Sequence, residues 1–180
     1  MTDTLGDPRL MVASLLAETW VGFAARITPR LAGHGLDGAE FEVLLRLARM
    51  PDGSLRMTDL AAQTPLTSSG ITRLIDRLVA AGSVRRRACT NDRRSSYAEI
   101  TDDGRRRILR ALPGHLDLIE HWLIGPLPAD ELAAFVATLR TLSDSLRPGA
   151  DGAVMLSPRS AERAVAWPVV LPVATAAAGL

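Results

Sequence analysis

The chain has 180 residues, 47% of them apolar, one cysteine and a formal net charge of +1. This apolar content excludes a disordered polymer and is enough for one domain with a sizeable core. The single cysteine excludes an internal disulfide framework and fits a reducing cytoplasm. The near-neutral total excludes a uniformly basic protein, but the charge is unevenly placed. Residues 56–107 hold eleven arginines against six acids, whereas residues 108–147 hold three against five, and no lysine occurs anywhere.

In chain order, the first seven residues lack the basic-then-apolar pattern of a signal peptide, so none is expected. Asp7-Pro8 reads as a helix start, a cap followed by proline at the first helical position. The helix carries Met11, Leu15, Leu16, Trp20, Phe23, Ile27 and Leu31 on one broad stripe, and Pro29 is expected to bend or end it. A second helix is predicted over Glu40–Met50, with Phe41, Leu44, Leu45, Leu47 and Ala48 inward. Ser54–Met57 can form a short strand.

Two short helices follow. The first is predicted to open at Thr58, whose hydroxyl can accept from first-turn amides, and to stop at Thr64-Pro65. Thr67 caps the second, which runs to Ala81 with Gly82 as a left-handed terminator. This is a helix-turn-helix, whose second helix is the one that enters a DNA major groove. Ile71, Leu74, Ile75 and Leu78 recur at helical steps and form its inward stripe, leaving Ser68, Ser69, Thr72, Arg73 and Arg77 outside. Short hydroxyls let the helix sit deep in a groove. Arg73 can reach a guanine's two acceptors, and Arg77, a turn further, suits a phosphate. Any amphipathic helix has a polar face, so this helix alone leaves a purely structural reading open.

Residues 84–100 read as strand, turn and strand, with Asn91-Asp92 near the tip. Arginines stand at 85, 86, 87, 93 and 94. Asp92 can brace one guanidinium and aim the other outward, and an arginine at a hairpin tip suits a narrow minor groove. A basic hairpin directly behind a helix-turn-helix points to phosphate contact rather than to a merely solvated loop. Thr101 opens a long helix with two acids in its first turn. It continues through Ile108, Leu109, Leu112, Leu116, Ile119 and Leu123, kinked near Pro113. Pro128–Leu146 is the last helix, with Leu132, Phe135, Val136, Leu139 and Leu142 as its stripe. The first, fifth and sixth helices are too apolar to be covered by one small winged helix, and a second copy of the chain would cover them.

The order of helix-turn-helix, wing and threonine-capped helix resembles the MarR family of bacterial winged-helix transcription regulators. The family's wing signature is met by Asp92, Arg94, Ile100 and Thr101, with Gly104 in the following glycine position, and Thr72–Leu78 matches its recognition-helix core. The resemblance covers about residues 8–147. It implies a mostly α fold with a small β-wing, a winged helix-turn-helix at about 38–100 flanked by dimerisation helices at about 8–32 and 101–147. It also implies a homodimer that presents two such units to a palindromic operator, usually as a repressor, with DNA binding relieved by a small ligand or by oxidation. One departure is Leu127-Pro128, where the family has a serine or threonine cap. The DNA-binding set is then Thr67, Ser68, Ser69, Thr72, Arg73, Arg77, Asp92, Arg93 and Arg94, with double-stranded DNA as partner.

The family's ligand pocket lies where the first two helices meet the DNA-binding lobe. Trp20, Phe23, Arg26 and His34 are the candidates there, an aromatic wall plus groups for a carboxylate or phenolate; ordinary dimer core is the competing reading of Trp20 and Phe23. Cys89 supports a thiol-sensing alternative, since arginines 85–87 can depress its pKa, although peroxide-sensing members carry their cysteine in the first helix, which has none here. A winged helix used only for protein contacts is a further alternative. His34, His115 and His121 lack metal-ligand spacing, and neither a phosphate loop nor a nucleophile elbow is present, so no enzyme, metal or cofactor is expected. Residues 148–180 extend past the family's end. Their last 17 residues carry no charge but fall short of the roughly 20 needed to span a bilayer, so no membrane partner is expected. The tail is expected to be poorly ordered, the alternative being that Trp167 and Val169–Leu171 dock on the dimer.

Overall fold

The computed structural model describes residues 4–88 and 96–146. After a short 3-10 turn, the elements are α1 (Pro8–Ala32), α2 (Gly38–Arg49), β1 (Ser54–Arg56), α3 (Met57–Ala62), α4 (Ser68–Ala80), β2 (Val84–Ala88), β3 (Ser96–Ile100), α5 (Asp102–Ile119), a π-helical turn (Glu120–Ile124) and α6 (Ala129–Leu146). The mostly helical chain with one small sheet is the expected class. The sheet is antiparallel in the order β1-β3-β2, with Arg56 and Arg87 flanking Tyr97 and Ser54 and Arg85 flanking Glu99. The strand predicted at Ser54–Met57 is therefore an edge strand on the wing hairpin, one residue shorter. The chain divides into two units, Met1–Pro128 and Ala129–Leu180, and α6 is the described part of the second.

The core of the first unit lies between α2, α3, α4 and α5, around Leu44, Leu47, Leu60, Ile71, Leu74, Ile75, Leu78 and Ile108, all fully buried. Each such leucine or isoleucine contributes about 1.5–3 kcal/mol. The predicted inward stripe of α4 is buried in full. On α2 the stripe also includes Val43. That helix starts two residues earlier than predicted, because Asp37 and Glu40 close a capping box: Glu40 N–H donates to Asp37 (2.7 Å) and Asp37 N–H to Glu40 (3.1 Å). Thr58 is not the cap of α3. Strand β1 runs directly into that helix, so Arg56 occupies the cap position without a side-chain bond, and the Thr58 hydroxyl lies against Asp59 instead.

Helix α1 is capped by Asp7 as expected, but it continues past Pro29 to Ala32. Its stripe is graded: Leu31 is buried, Phe23 and Ile27 are half-buried, and Met11, Leu15, Leu16 and Trp20 are each more than half exposed in the single chain. Among the described residues α1 is the one single helix whose length and hydropathy would allow it to cross a membrane, and its C-terminal end packs on the core through Ile27 and Leu31. Helix α5 departs from the predicted stripe. Gly104, Ile108, Ala111 and Leu118 are its buried residues, while Leu109 and Leu116 are exposed.

The cause of that rotation is the start of α5. The Thr101 hydroxyl accepts from Gly104 N–H (3.0 Å) and donates to the Gly82 carbonyl (2.7 Å), while Thr101 N–H donates to Ser83 (3.1 Å). Gly82 adopts φ +69°, the left-handed turn that ends α4. Gly104 faces Ser83 so closely that a Cβ there would lie 2.0 Å from the Ser83 carbonyl oxygen. Gly104→Ala is therefore expected to destabilise the fold by about 2–3 kcal/mol, measured as a lower urea midpoint at fixed protein concentration. An unchanged midpoint would show that α5 can step back from Ser83 freely.

Candidate nucleic-acid interface

The exposed face of α4 begins at its cap. Thr67 accepts from Gly70 N–H (3.1 Å) and its hydroxyl lies 3.1 Å from that of Ser69. One turn on, the Thr72 hydroxyl donates to the Ser68 carbonyl (3.0 Å). Ser68, Ser69, Thr72 and Arg73 together line an open depression of about 470 Å³. Short side chains folded back on the helix leave this surface low, and Arg73 stands at its edge. The arrangement offers hydroxyls and helix N-terminal amides to an anion, with one long cation beside them.

The other arginines of α4 and β2 have carboxylate partners. Arg77 reaches Asp37 (3.1 Å) and Glu40 (3.5 Å), joining the capping box of α2. In the free chain these two carboxylates offset the charge of Arg77, which ties the second half of α4 to α2. Arg86 pairs with Asp76 (2.8 Å). Arg85 and Arg87 (3.3 Å) both pair with Glu99, and these two guanidiniums, Arg85 foremost, hold the Glu99 carboxyl below its usual range. On the same sheet face Arg87 lies 4.7 Å over the Tyr97 ring, and Arg56 donates to the Tyr97 hydroxyl (2.9 Å). Of the arginines on α4 and β2, Arg73 alone has no carboxylate partner among the described residues. Asp92, Arg93, Arg94 and Cys89 lie outside the described residues.

The four residues proposed for a ligand do not converge. Arg26 donates to the Gly22 carbonyl (2.7 Å) and its guanidinium lies 3.9 Å from the ring centre of Trp122, on the π-helical turn. Trp122 in turn meets His121 edge-on at 4.7 Å. Trp20 is exposed, six residues and therefore about 240° round the helix from Arg26. Phe23 is half-buried, and His34 lies exposed on the α1–α2 loop, its carbonyl accepting from Arg107 (3.5 Å). The sequence reading omitted Trp122; an aromatic residue at the far end of α5 was its only signal. It also gave His115 no place in the fold. That imidazole sits 4.4 Å from the Phe41 ring with its Nδ1 buried and without a hydrogen-bond partner, and burial pushes its pKa down against the opposing charge of Glu42.

The family description that matches this chain is that of the MarR family, over residues 34–95. The transcriptional repressor YetL of Bacillus subtilis (strain 168) is 39% identical over 88 residues, which are 49% of this chain and 53% of YetL, so the match spans about half the length of that relative. Among solved structures, Sco3205 of Streptomyces coelicolor, a MarR family regulator crystallised with DNA, superposes with a TM-score of 0.73 at 27% identity over 78% of this chain and 88% of its own. AbsC, a MarR family regulator from the same organism, superposes with a TM-score of 0.75 at 26% identity, covering 81% of this chain and 99% of its own.

The position of His115 between α2 and α5 has a measurable consequence. Its folded pKa is below the unfolded value of about 6.5, so the folded chain binds fewer protons than the unfolded chain between those two values. Stability is complete above about pH 6.5 and is lost as pH falls through the interval beneath it. His115→Leu is expected to remove this part of the acid-side loss, compared with wild type in denaturant melts between neutral and mildly acidic pH. Parallel pH profiles for the two proteins would count against it.

Proposed function

We propose that the chain is a MarR-type dimeric transcriptional regulator, a repressor, that binds double-stranded DNA in the cytoplasm. The observation that carries this is the contrast on the lobe surface. Arg77, Arg85, Arg86 and Arg87 are matched by carboxylates, while Arg73, beside the hydroxyls of Ser68, Ser69 and Thr72, has no carboxylate partner among the described residues. A cation left open next to a low, hydroxyl-lined helix face fits a base edge flanked by phosphates. Arg93 and Arg94, which lie outside the described residues, are proposed to extend the contact into the minor groove.

Dimerisation supplies the symmetry. The exposed stripe of α1, together with exposed Leu109 and Leu116 on α5 and Val136, Leu139 and Leu142 on α6, is more apolar surface than a lone chain leaves in water. A two-fold partner would cover it and present two α4 helices to an inverted repeat. A small aromatic or phenolic acid is the proposed effector, held at Arg26, whose contact with Trp122 would be its cationic and aromatic anchor. It would favour a lobe spacing that mismatches the operator.

Light scattering at micromolar protein is expected to return twice the chain mass, and a stable monomer would refute the dimer. On DNA, half-site centres about 10 base pairs apart are expected. Arg73→Ala should weaken operator binding by roughly 1–3 kcal/mol and relax its sequence preference, read by competition between the operator and single-base variants. Unchanged affinity and preference would refute the reading of DNA by α4.

A further inference from the structure

We propose that Asp76 and Arg86 form a positioning pair that fixes the rotation of α4 against the wing and thereby sets which base Arg73 meets; this rests on the DNA-binding reading above. The strand supplies the first half of the argument. Side chains alternate along β2, so Arg85 and Arg87, in register with Glu99 and Tyr97, share the outer face of the sheet. Arg86, in register with buried Ala98, projects to the opposite side, toward α4. There one nitrogen, Nη2, lies 2.8 Å from Asp76 Oδ1 and 3.4 Å from the carbonyl oxygen of Thr72. A single guanidinium thus holds a side chain and the backbone one turn apart on the recognition helix. The gripped carbonyl belongs to the residue immediately before Arg73.

Charge supplies the second half. Asp76 is 61% exposed on a helix proposed to approach phosphates, where an unpaired carboxylate repels the partner. A pair this exposed adds little to stability, so a contribution to folding does not explain it. What it does provide is a fixed angle between two elements that must read DNA together, and recognition geometry tolerates displacements of only about 0.5 Å. Arg86 is then a positioning residue that leaves the phosphates to others.

The experiment uses the full chain and duplexes enriched from a randomised library by the wild-type protein. Affinity for the enriched duplex and for an unrelated duplex is measured at several salt concentrations, alongside thermal melting. Asp76→Asn and Arg86→Gln should each lower affinity for the enriched duplex about tenfold, the double variant should be no worse than either single, and Asp76→Glu should restore most of the loss. Melting temperature and the salt slope on the unrelated duplex should barely move. If Asp76→Asn instead tightens binding to both duplexes and steepens the salt slope, Arg86 is a phosphate ligand that Asp76 restrains, and the proposal is overturned. Additive losses, or no loss at all, overturn it equally. If the wild-type chain enriches no duplex, the DNA-binding reading fails, and this inference fails with it.

Discussion

The placement of α4 depends on one close contact, where the turn that ends it meets the first turn of α5. Thr101 bonds to both Gly82 and Ser83, and Gly104 has no side chain because the Ser83 carbonyl occupies the space a Cβ would need. Arg107 reinforces the joint from the next turn of α5, donating to the Ser83 hydroxyl (3.3 Å) and to the carbonyl of Gly35 on the α1–α2 loop. Backbone groups set these distances, so the joint has little freedom to adjust. The start of α5 and the end of α4 are therefore held together by backbone contacts on both sides.

Around that joint the charges are sorted by partner. Asp37 and Glu40 hold Arg77 to α2, Asp76 holds Arg86 across to β2, and Glu99 holds Arg85 and Arg87 on the outer sheet face. Each exposed pair is weak alone, yet together they connect α4 to both of its neighbours. Among the described arginines of α4 and β2, four of five are thus engaged within the fold.

Much of the fold was legible in the sequence because local chemistry decides it. Thr67 and Gly82 bound α4 by cap and left-handed turn, its four-residue apolar stripe is buried as the periodicity requires, and Ser54–Arg56 joins the wing. The errors have specific causes. Asp37 and Glu40 form a capping box, a short-range signal that was present and overlooked. On α5 two apolar faces compete, and the Gly104–Ser83 approach, invisible to periodicity, selects the one with the smaller residues. The Arg77–Asp37 pair was not legible because its partners lie 40 residues apart, beyond any local pattern. The exposure of Arg73 was legible from the helical period alone, which puts it opposite the buried stripe of α4. The surroundings of Arg26 were not legible, since they depend on where α1 passes the end of α5, and there Arg26 turns to Trp122.

The network is built wholly from guanidinium groups, which has a consequence for how the protein can be controlled. Guanidinium stays protonated across any pH at which the chain is folded, so only the carboxylate side of each pair can titrate. With no lysine in these 180 residues, acetylation, which regulates other proteins by erasing an ammonium charge, has no side chain to act on. Amine-directed cross-linkers and fluorophores likewise find no lysine on the lobe. The cationic pattern is therefore set when the chain folds, and covalent neutralisation of lysine cannot revise it.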